Sequence, residues 1–436
     1  MNPLYKIKQA TSIRAASPVE IEALQSNLLR QHIQHAIKSP FYKNIFADID
    51  YRPNDITLSN LADLPLTTRS DLDRNPEGFF AVPKKSWADI ALTSGSTGNP
   101  VLVPYTVSDL TRLAFNEEMN FHGAGITPDD TMLLCVTIDR CFIAGLAYYT
   151  GLTRLGAATI RSGPGQPARQ WELIRRLSPT GLVGVPSFLL KLAEWGVEHS
   201  LSPRSIGIRA LITIGEPVRR PDHSLTPLGR ELESLWGGQV ISSYGATEFE
   251  TAFCECSACM GGHIHPELML VEIVDESGRN LPPGTAGEIV VTPLGVQGLP
   301  LIRFRTGDVA RLHTAPCQCG WQTPRLGAVE GRLAQRLKYR GTTLYPEMIF
   351  QALQDQPEIR ASYLEVRSSY DLSDEITVVI GVDNPGAMAT APIQEHLQST
   401  LRVRPDILIR SYNEVLGVME ADGGRKLKRF IDLRGK

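Results

Sequence analysis

Thr93-Ser94-Gly95-Ser96-Thr97-Gly98-Asn99-Pro100 puts two glycines and four hydroxyl side chains into one short loop between two strand-like runs, Ile90 to Leu92 and Val101 to Pro104. Glycine lets successive backbone N–H groups converge on one concavity and the hydroxyls add donors, so the loop can wrap an anion such as a triphosphate. It is not a Walker loop. That motif needs a Lys-Ser/Thr pair running into a helix, so that the helix N-terminus meets the phosphates, whereas here Asn99-Pro100 leads into a strand-like run. A P-loop kinase is disfavoured on this ground. Taken alone, the segment also reads as a Ser- and Gly-rich surface turn.

Other segments give the loop company. Ser243-Tyr244-Gly245-Ala246-Thr247-Glu248 follows a short strand and offers an aromatic face, a tight turn, a hydroxyl and a carboxylate within six residues. A base can stack on Tyr244 and a magnesium ion can bind Glu248. Arg303-Phe304-Arg305-Thr306-Gly307-Asp308 reads as a turn carboxylate beside guanidinium groups, with Asp308 able to accept from two ribose hydroxyls, and Gly331-Arg332 opens a basic stretch. Each has a plainer reading: a strand-end turn, a surface ion pair and a linker.

The cysteines form a second constellation. Cys254, Cys256 and Cys259 are followed by His263 and His265, and Cys317 and Cys319 come later, giving up to seven candidate ligands on two segments. Tetrahedral zinc takes four, commonly from two short knuckles, and four protein ligands leave no open position for water, so the site reads as structural. Buried free thiols are the alternative; in a reducing compartment clusters this polar favour a metal over disulfides.

The elements that must position these groups are those of an ordinary globular chain. Its 436 residues are 42% hydrophobic and 21% charged, which allows two to four domains. The net charge of -3 supplies no global field for nucleic acid or an anionic membrane, so any anion is held locally. Met1 to Gln25 holds no apolar run with a cleavage site, and the longest apolar stretch, near Phe142 to Leu152, is far short of the roughly 20 residues that span a bilayer, so a cytoplasmic protein is expected. Ser17-Pro18-Val19-Glu20 opens an amphipathic helix expected to end near Pro40. From about residue 88 short strands alternate with helices, an α/β layering. Strands are expected at Thr131 to Thr137, Gly181 to Val185, Ala210 to Ile214 and Gln239 to Ser242, and a hairpin at Met269 to Val274 and Gly287 to Thr292. The last hundred or so residues read as a separate α+β unit, with domains at 1–330 and 331–436.

In this order the motifs resemble the adenylate-forming superfamily and its phenylacetate-CoA ligase-like branch. The matching segments are Ser39-Pro40-Phe41-Tyr42, Leu64-Pro65-Leu66-Thr67, the Thr93 to Pro100 loop, Gly215-Glu216-Pro217, Tyr244 to Glu248, Arg305 to Asp308, Gly331-Arg332, Arg340-Gly341 with Tyr345-Pro346, and Lys426-Leu427-Lys428-Arg429-Phe430-Ile431-Asp432. The resemblance covers nearly the whole chain. It implies a large layered N-terminal domain and a small mobile C-terminal one. It implies activation of a carboxylic acid with ATP, release of pyrophosphate, and transfer of the acyl group, in this branch usually to coenzyme A. By the same resemblance, Ser94, Gly95, Ser96, Thr97 and Gly98 hold the β- and γ-phosphates. Glu248, with the hydroxyl of Thr97 or Thr247, ligates magnesium. Tyr244 and Glu216 border the adenine, Gly215, Pro217, Ser243 and Gly245 belong with them to the nucleotide-binding residues, Asp308 takes the ribose with Arg332 nearby, and Lys426 bridges the carboxylate and α-phosphate in the transition state. Similar members of the branch match at Cys256, His263, Cys317 and Cys319, while Cys259 has the better knuckle spacing with Cys256 and competes with His263 for the zinc.

The chain departs from the family in places. Val101 stands where the wider superfamily has Lys, as this branch allows, and Arg425 stands before Lys426 where Gly is usual, with Lys428 as the runner-up lysine. Ala334 occupies the hinge position of an Asp, and Phe350 that of a Glu, which bears more on the thioester-forming step than on adenylation. Transfer to an amine or a carrier-protein thiol, or a non-catalytic nucleotide-binding homologue, are the alternatives. Asp139 to Tyr149, Pro186 to Phe188 and Gly215 are expected to form the acid pocket, where aromatic and small residues suit an aryl acid. The expected partners are small molecules, with a homodimer open as the assembly and neither nucleic acid nor membrane.

Overall fold

Four helices open the chain, and the second shows why they start where they do. After α1 (Ile7–Arg14), α2 (Pro18–Ala36) begins with a capping box: the Ser17 hydroxyl accepts from the Glu20 amide, and the Glu20 carboxylate accepts the Ser17 N–H at 2.8 Å. Rather than merely ending the helix, Pro40 starts α3 (Pro40–Asp48), because proline is preorganised for a first turn and Ser39 caps it. Thr68 and Asp71 cap α4 (Arg69–Arg74) in the same reciprocal way. This computed structural model describes residues 4–49, 52–93, 100–339, 342–368, 374–421 and 427–434. It divides into two compact units, Met1–Thr306 with Ala310–Val329, and Gly307–Val309 with Glu330–Lys436.

In the first unit, β1 (Asp89–Leu92) and β2 (Leu102–Tyr105) pair antiparallel on either side of the glycine- and hydroxyl-rich loop, with Leu92 opposite Leu102. Next comes α5 (Val107–Gly123), most of whose polar residues are buried. Then follow β3 (Thr131–Leu134), α6 (Ile143–Leu155), β4 (Ala158–Arg161), α7 (Pro167–Leu177), β5 (Gly181–Gly184), α8 (Pro186–Glu198), β6 (Ala210–Ile214), α9 (Pro227–Trp236), β7 (Gln239–Ala246) and β8 (Thr251–Cys254). The strands form one sheet in the order β4-β3-β5-β6-β7-β8, parallel except for β8.

Both faces of this sheet are covered, as parallel strands require. Met132, Leu134, Val183, Ile212 and Ile241 pack on one side with Phe121 of α5 and Tyr148 and Leu152 of α6. Their alternates Leu133, Leu182, Leu211 and Val240 pack on the other with Trp171, Leu189, Leu232 and Trp236 of α7, α8 and α9. That alternation is the period-two signature of a strand.

The rest of the first unit is antiparallel. β9 (Gly262–His263), β10 (Met269–Val274), β11 (Gly287–Pro293), β12 (Phe304–Ala310), β13 (Leu312–His313) and β14 (Arg325–Leu326) build two small sheets, one containing β10, β11 and β12 and one ordered β13-β14-β9. Here the sequence expectation of a turn near Arg303 to Asp308 is corrected: the segment is mostly strand. Its arginines are held by neighbouring carboxylates, Arg303 by Glu272 at 3.0 Å and Arg305 by Glu288 at 2.6 Å.

In the second unit, β15 (Gly331–Arg332) pairs with the Asp308–Val309 part of β12. β16 (Leu337–Tyr339) and β17 (Thr342–Leu344) form a hairpin. α10 (Pro346–Leu353), β18 (Ala361–Ser368), β19 (Asp374–Val382), α11 (Thr390–Leu401), β20 (Asp406–Ser411), α12 (Tyr412–Glu420) and β21 (Phe430–Asp432) complete it, with the sheet ordered β20-β19-β18-β21. α10 and α11 cover one face through Ile349, Leu353, Ile393 and Leu397, and α12 covers the other through Val415 and Met419.

Candidate active site and metal centre

In the six-stranded sheet the strand order reverses between β3 and β5, and ligands of such sheets bind outside the C-terminal strand ends near that reversal. Gly215 to Pro217 and Tyr244 to Glu248 lie along this C-terminal edge, at the ends of β6 and β7, the two strands beyond β5. Ile214 and Ser243 are partners in the β6/β7 register, so Gly215-Glu216-Pro217 and Tyr244 to Glu248 leave the sheet side by side. Gly215 has φ +85°, a left-handed conformation that glycine adopts without strain. The Glu216 carboxylate accepts the Ser187 N–H at 2.9 Å and the Ser187 hydroxyl at 2.8 Å, tying the start of α8 to the end of β6. Tyr244 lies parallel to Phe253 with ring centroids 6.2 Å apart. At Gly245 a Cβ would fall 2.8 Å from the Thr251 carbonyl, so only glycine allows β8 this close.

The loop residues Ser94, Gly95, Ser96, Thr97 and Gly98 lie outside the described residues. Their root is defined by Thr93, whose N–H donates to the Val101 carbonyl at 3.0 Å and whose hydroxyl accepts the Val101 N–H at 2.9 Å. Glu248 comes to this root through a residue that sequence reasoning missed. Arg69, at the first position of α4, donates from Nη1 to Glu248 at 2.6 Å and from Nη2 to the Thr93 hydroxyl at 3.3 Å. The Thr247 carbonyl accepts the Tyr105 hydroxyl at 3.3 Å, which fixes the same turn to β2. Arg69 stands two residues beyond Leu64-Pro65-Leu66-Thr67, and no local spacing links it to a partner 179 residues away.

The metal candidates sort themselves. Cys256, His263, Cys317 and Cys319 present ligand atoms that all lie within 4.8 Å of one another. The Cys256 and Cys317 sulfurs are 3.6 Å apart and the Cys319 sulfur is 3.3 Å from His263 Nε2. Two thiolates on one tetrahedral zinc stand about 3.8 Å apart, from Zn–S bonds of about 2.3 Å, so the spacing fits. His263 Nδ1 is 2.9 Å from the Thr323 hydroxyl, which leaves Nε2 toward the sulfurs, and burial pushes the imidazole down to about 4, into its neutral, ligating form. Cys259, which the knuckle spacing favoured, is not in the group. Its thiol faces the Val240 carbonyl at 3.7 Å, because Cys259 takes a left-handed conformation with φ +53° at the end of the knuckle turn. Cys254 is buried in β8, and His265 Nε2 donates to the Asn120 side-chain oxygen at 2.8 Å.

In the second unit Asp308 and Arg332 are register partners on β12 and β15, and Arg332 Nε donates to Asp308 at 3.0 Å. Gly331 admits Tyr345, whose ring would lie 2.2 Å from a Cβ there. Lys426 lies outside the described residues. Phe350, at the position of the expected glutamate, is a buried core residue over whose ring the Arg429 guanidinium stacks at 3.8 Å. Ala334 sits in a short 3-10 turn, Leu333–Gln335.

A parallel sheet whose C-terminal edge carries glycines, Tyr244 and Glu248 suits a nucleotide-binding enzyme, and comparison with known proteins agrees. Residues 43–296 match the model of the family described as AMP-binding enzyme, and the chain belongs to that family. Within it, the chain falls in the phenylacetate-CoA ligase-like branch of adenylate-forming enzymes. It is 28% identical over 442 residues to a phenylacetate-coenzyme A ligase of Thermus thermophilus, covering 95% of this chain and 97% of the relative. It is 30% identical over 350 residues to that of Escherichia coli, covering 77% of each. In fold it resembles a 2-hydroxyisobutyryl-CoA ligase solved in the postadenylation state, with a TM-score of 0.85 at 21% identity over 97% of this chain and 91% of that one.

Proposed function

We propose that this enzyme activates a carboxylic acid with ATP and passes the acyl group to coenzyme A. In the first half-reaction a carboxylate oxygen attacks the α-phosphorus, the bond to the β-phosphate bridging oxygen breaks, and pyrophosphate leaves. In the second, the thiol of coenzyme A attacks the acyl carbon, loses its proton, and expels AMP. The observation that carries this reading is the guanidinium bridge from Glu248 to Thr93, which holds a metal-type carboxylate at the root of a phosphate-type loop.

The roles follow the family. The Ser94 to Gly98 loop cradles the terminal phosphates, Tyr244 and the Gly215 to Pro217 turn border the adenine, and Asp308, with Arg332, receives the ribose. Glu248, with the hydroxyl of Thr97 or Thr247, would hold magnesium, an ion that neutralises phosphate charge and commonly takes one or two carboxylates. Lys426 stabilises charge at the α-phosphate. Cys256, His263, Cys317 and Cys319 would hold a structural zinc that braces the segment after Glu248 against the one after β12. An aryl acid is the substrate class we favour, supported by the relatives named for phenylacetate. Among the described residues no helix is long and apolar enough to cross a membrane, and we assign the enzyme to the cytoplasm, working alone or as a homodimer.

The test is acid-dependent ATP–pyrophosphate exchange over a panel of aryl acids, with and without coenzyme A. Exchange with at least one acid and faster turnover with coenzyme A are expected; no exchange with any acid would overturn the reading. Phe350 and Ala334 keep a second acceptor in view. Exchange without any acceleration by coenzyme A would point to an amine or a carrier-protein thiol.

A further inference from the structure

We propose that Arg69 is a positioning residue for adenylation, holding Glu248 at the root of the phosphate loop and releasing it to the magnesium that arrives with ATP. The proposal rests on the reading above, in which Glu248 is the metal ligand. Its basis is the geometry of one side chain. The α4 capping box fixes the backbone at Arg69, and each arm of the guanidinium then has its own acceptor: Nε on Asp73 at 2.9 Å, Nη1 on Glu248 at 2.6 Å and Nη2 on Thr93 at 3.3 Å. A planar fork can serve three acceptors at once, which the single ammonium of lysine does with poorer geometry.

Two further observations give the fork a task. The residue after the loop proline is Val101, an apolar side chain whose amide is bonded to Thr93, so that position brings no positive charge to the phosphates. The guanidinium that touches Thr93 brings one to the same root. The Arg69 and Glu248 side chains are 25% and 14% exposed, so the pair is partly shielded from water and screened less than a surface pair. Arg69 and a divalent cation then compete for one carboxylate. With Glu248 turned toward the cation, Arg69 would keep its Nη2 bond to the Thr93 hydroxyl, and its charge would stay at the root of the loop.

This competition gives a signature that a simple structural role does not. Arg69→Ala, Arg69→Gln and Arg69→Lys are compared with the native enzyme in two measurements: acid-dependent exchange, and equilibrium binding of a fluorescent ATP analogue without acid while magnesium is titrated. Thermal melting in EDTA checks folding. For Arg69→Ala and Arg69→Gln, maximal exchange is expected to fall about 100-fold. The magnesium concentration for half-maximal nucleotide binding is expected to fall about threefold to tenfold, since the competitor for Glu248 is gone. Arg69→Lys is expected to recover part of the exchange. Should Arg69→Ala fail to fold, Arg69→Gln, which keeps donors at the site without the charge, carries the test. An unchanged or raised magnesium requirement in a folded variant, or exchange within threefold of native, overturns the proposal alone. A native protein that neither binds the magnesium–nucleotide nor exchanges overturns the functional reading and this proposal with it.

Discussion

The Cys256 and Cys317 sulfurs stand 3.6 Å apart although 61 residues separate them in the chain. Cys319 and His263 stand beside them, and the ligand atoms of all four residues lie within 4.8 Å of one another, a spacing that would suit a tetrahedral cation. Metal analysis of the purified protein is expected to return about one zinc per chain, and Cys317→Ala to abolish it. Because ligation is also folding energy, loss of the metal is expected to destabilise the protein by at least about 3 kcal/mol, read by denaturant unfolding with and without a strong chelator. Metal-free protein of undiminished stability would end this assignment. Cys259→Ala should leave the zinc content unchanged.

Acid sensitivity is predicted at His32. It is fully buried on α2, one ring nitrogen lies 2.9 Å from the Leu301 carbonyl, and Nδ1 has no polar partner. Burial pushes its pKa from 6.5 down to about 4. Below 6.5 the unfolded chain gains a proton that the folded chain refuses until about pH 4, so this group's effect is absent above 6.5 and stability is lost as pH falls between the two values. The full loss is about 3 kcal/mol. Urea unfolding of His32→Gln is expected to show a correspondingly shallower decline from pH 7 to pH 4.5 than the native protein. Equal slopes would refute the attribution.

Gly298 controls the strand that leaves the phosphate loop. A Cβ there would meet the Pro104 carbonyl at 1.9 Å, and the Gly298 amide donates to Asp109 at 3.1 Å. Gly298→Ala must push β2 aside, at a cost of about 1–3 kcal/mol in stability. The displaced hairpin is expected to raise KM for ATP more than KM for the acid. A variant with native melting and native kinetics would contradict this packing account.

Lys426 and Lys428 are separable by kinetics. Lys426→Ala is expected to lower kcat for adenylation about 100-fold with little change in nucleotide affinity, as removal of a group used chiefly in the transition state should. Lys428→Ala is expected to stay within about threefold of native. The reverse pattern would transfer the role to Lys428.

Ser187 is a quieter test. Removing its hydroxyl in Ser187→Ala takes away the 2.8 Å bond to Glu216 while the 2.9 Å amide bond stays. A twofold to fivefold rise in KM for ATP is expected, about the worth of one hydrogen bond. No change would remove Glu216 from the adenine border.

Much of this was legible in the sequence because much of it is local. The Ser17–Glu20 capping box, the glycine- and hydroxyl-rich loop between two strands, and the strands at Ala210–Ile214 and Met269–Val274 are set by residues within a few positions of one another. Their side-chain hydrogen bonds and their hydrophobic period need no distant partner. The order of the motifs along the chain likewise carries the resemblance to adenylate-forming enzymes.

What the tertiary structure decided are the choices between chemically equal candidates. Spacing favoured Cys259 as a zinc ligand, but the knuckle turn sends its thiol to Val240 and brings in His263, which β9 carries beside Cys319. Arg305 read as part of a turn, yet β12 aligns it with Glu288. No motif singles out Arg69, which the fold sets against Glu248 and Thr93. Such pairings depend on where segments distant along the chain meet, and that is fixed by how the sheets and helices bury their apolar faces, not by spacing along the chain.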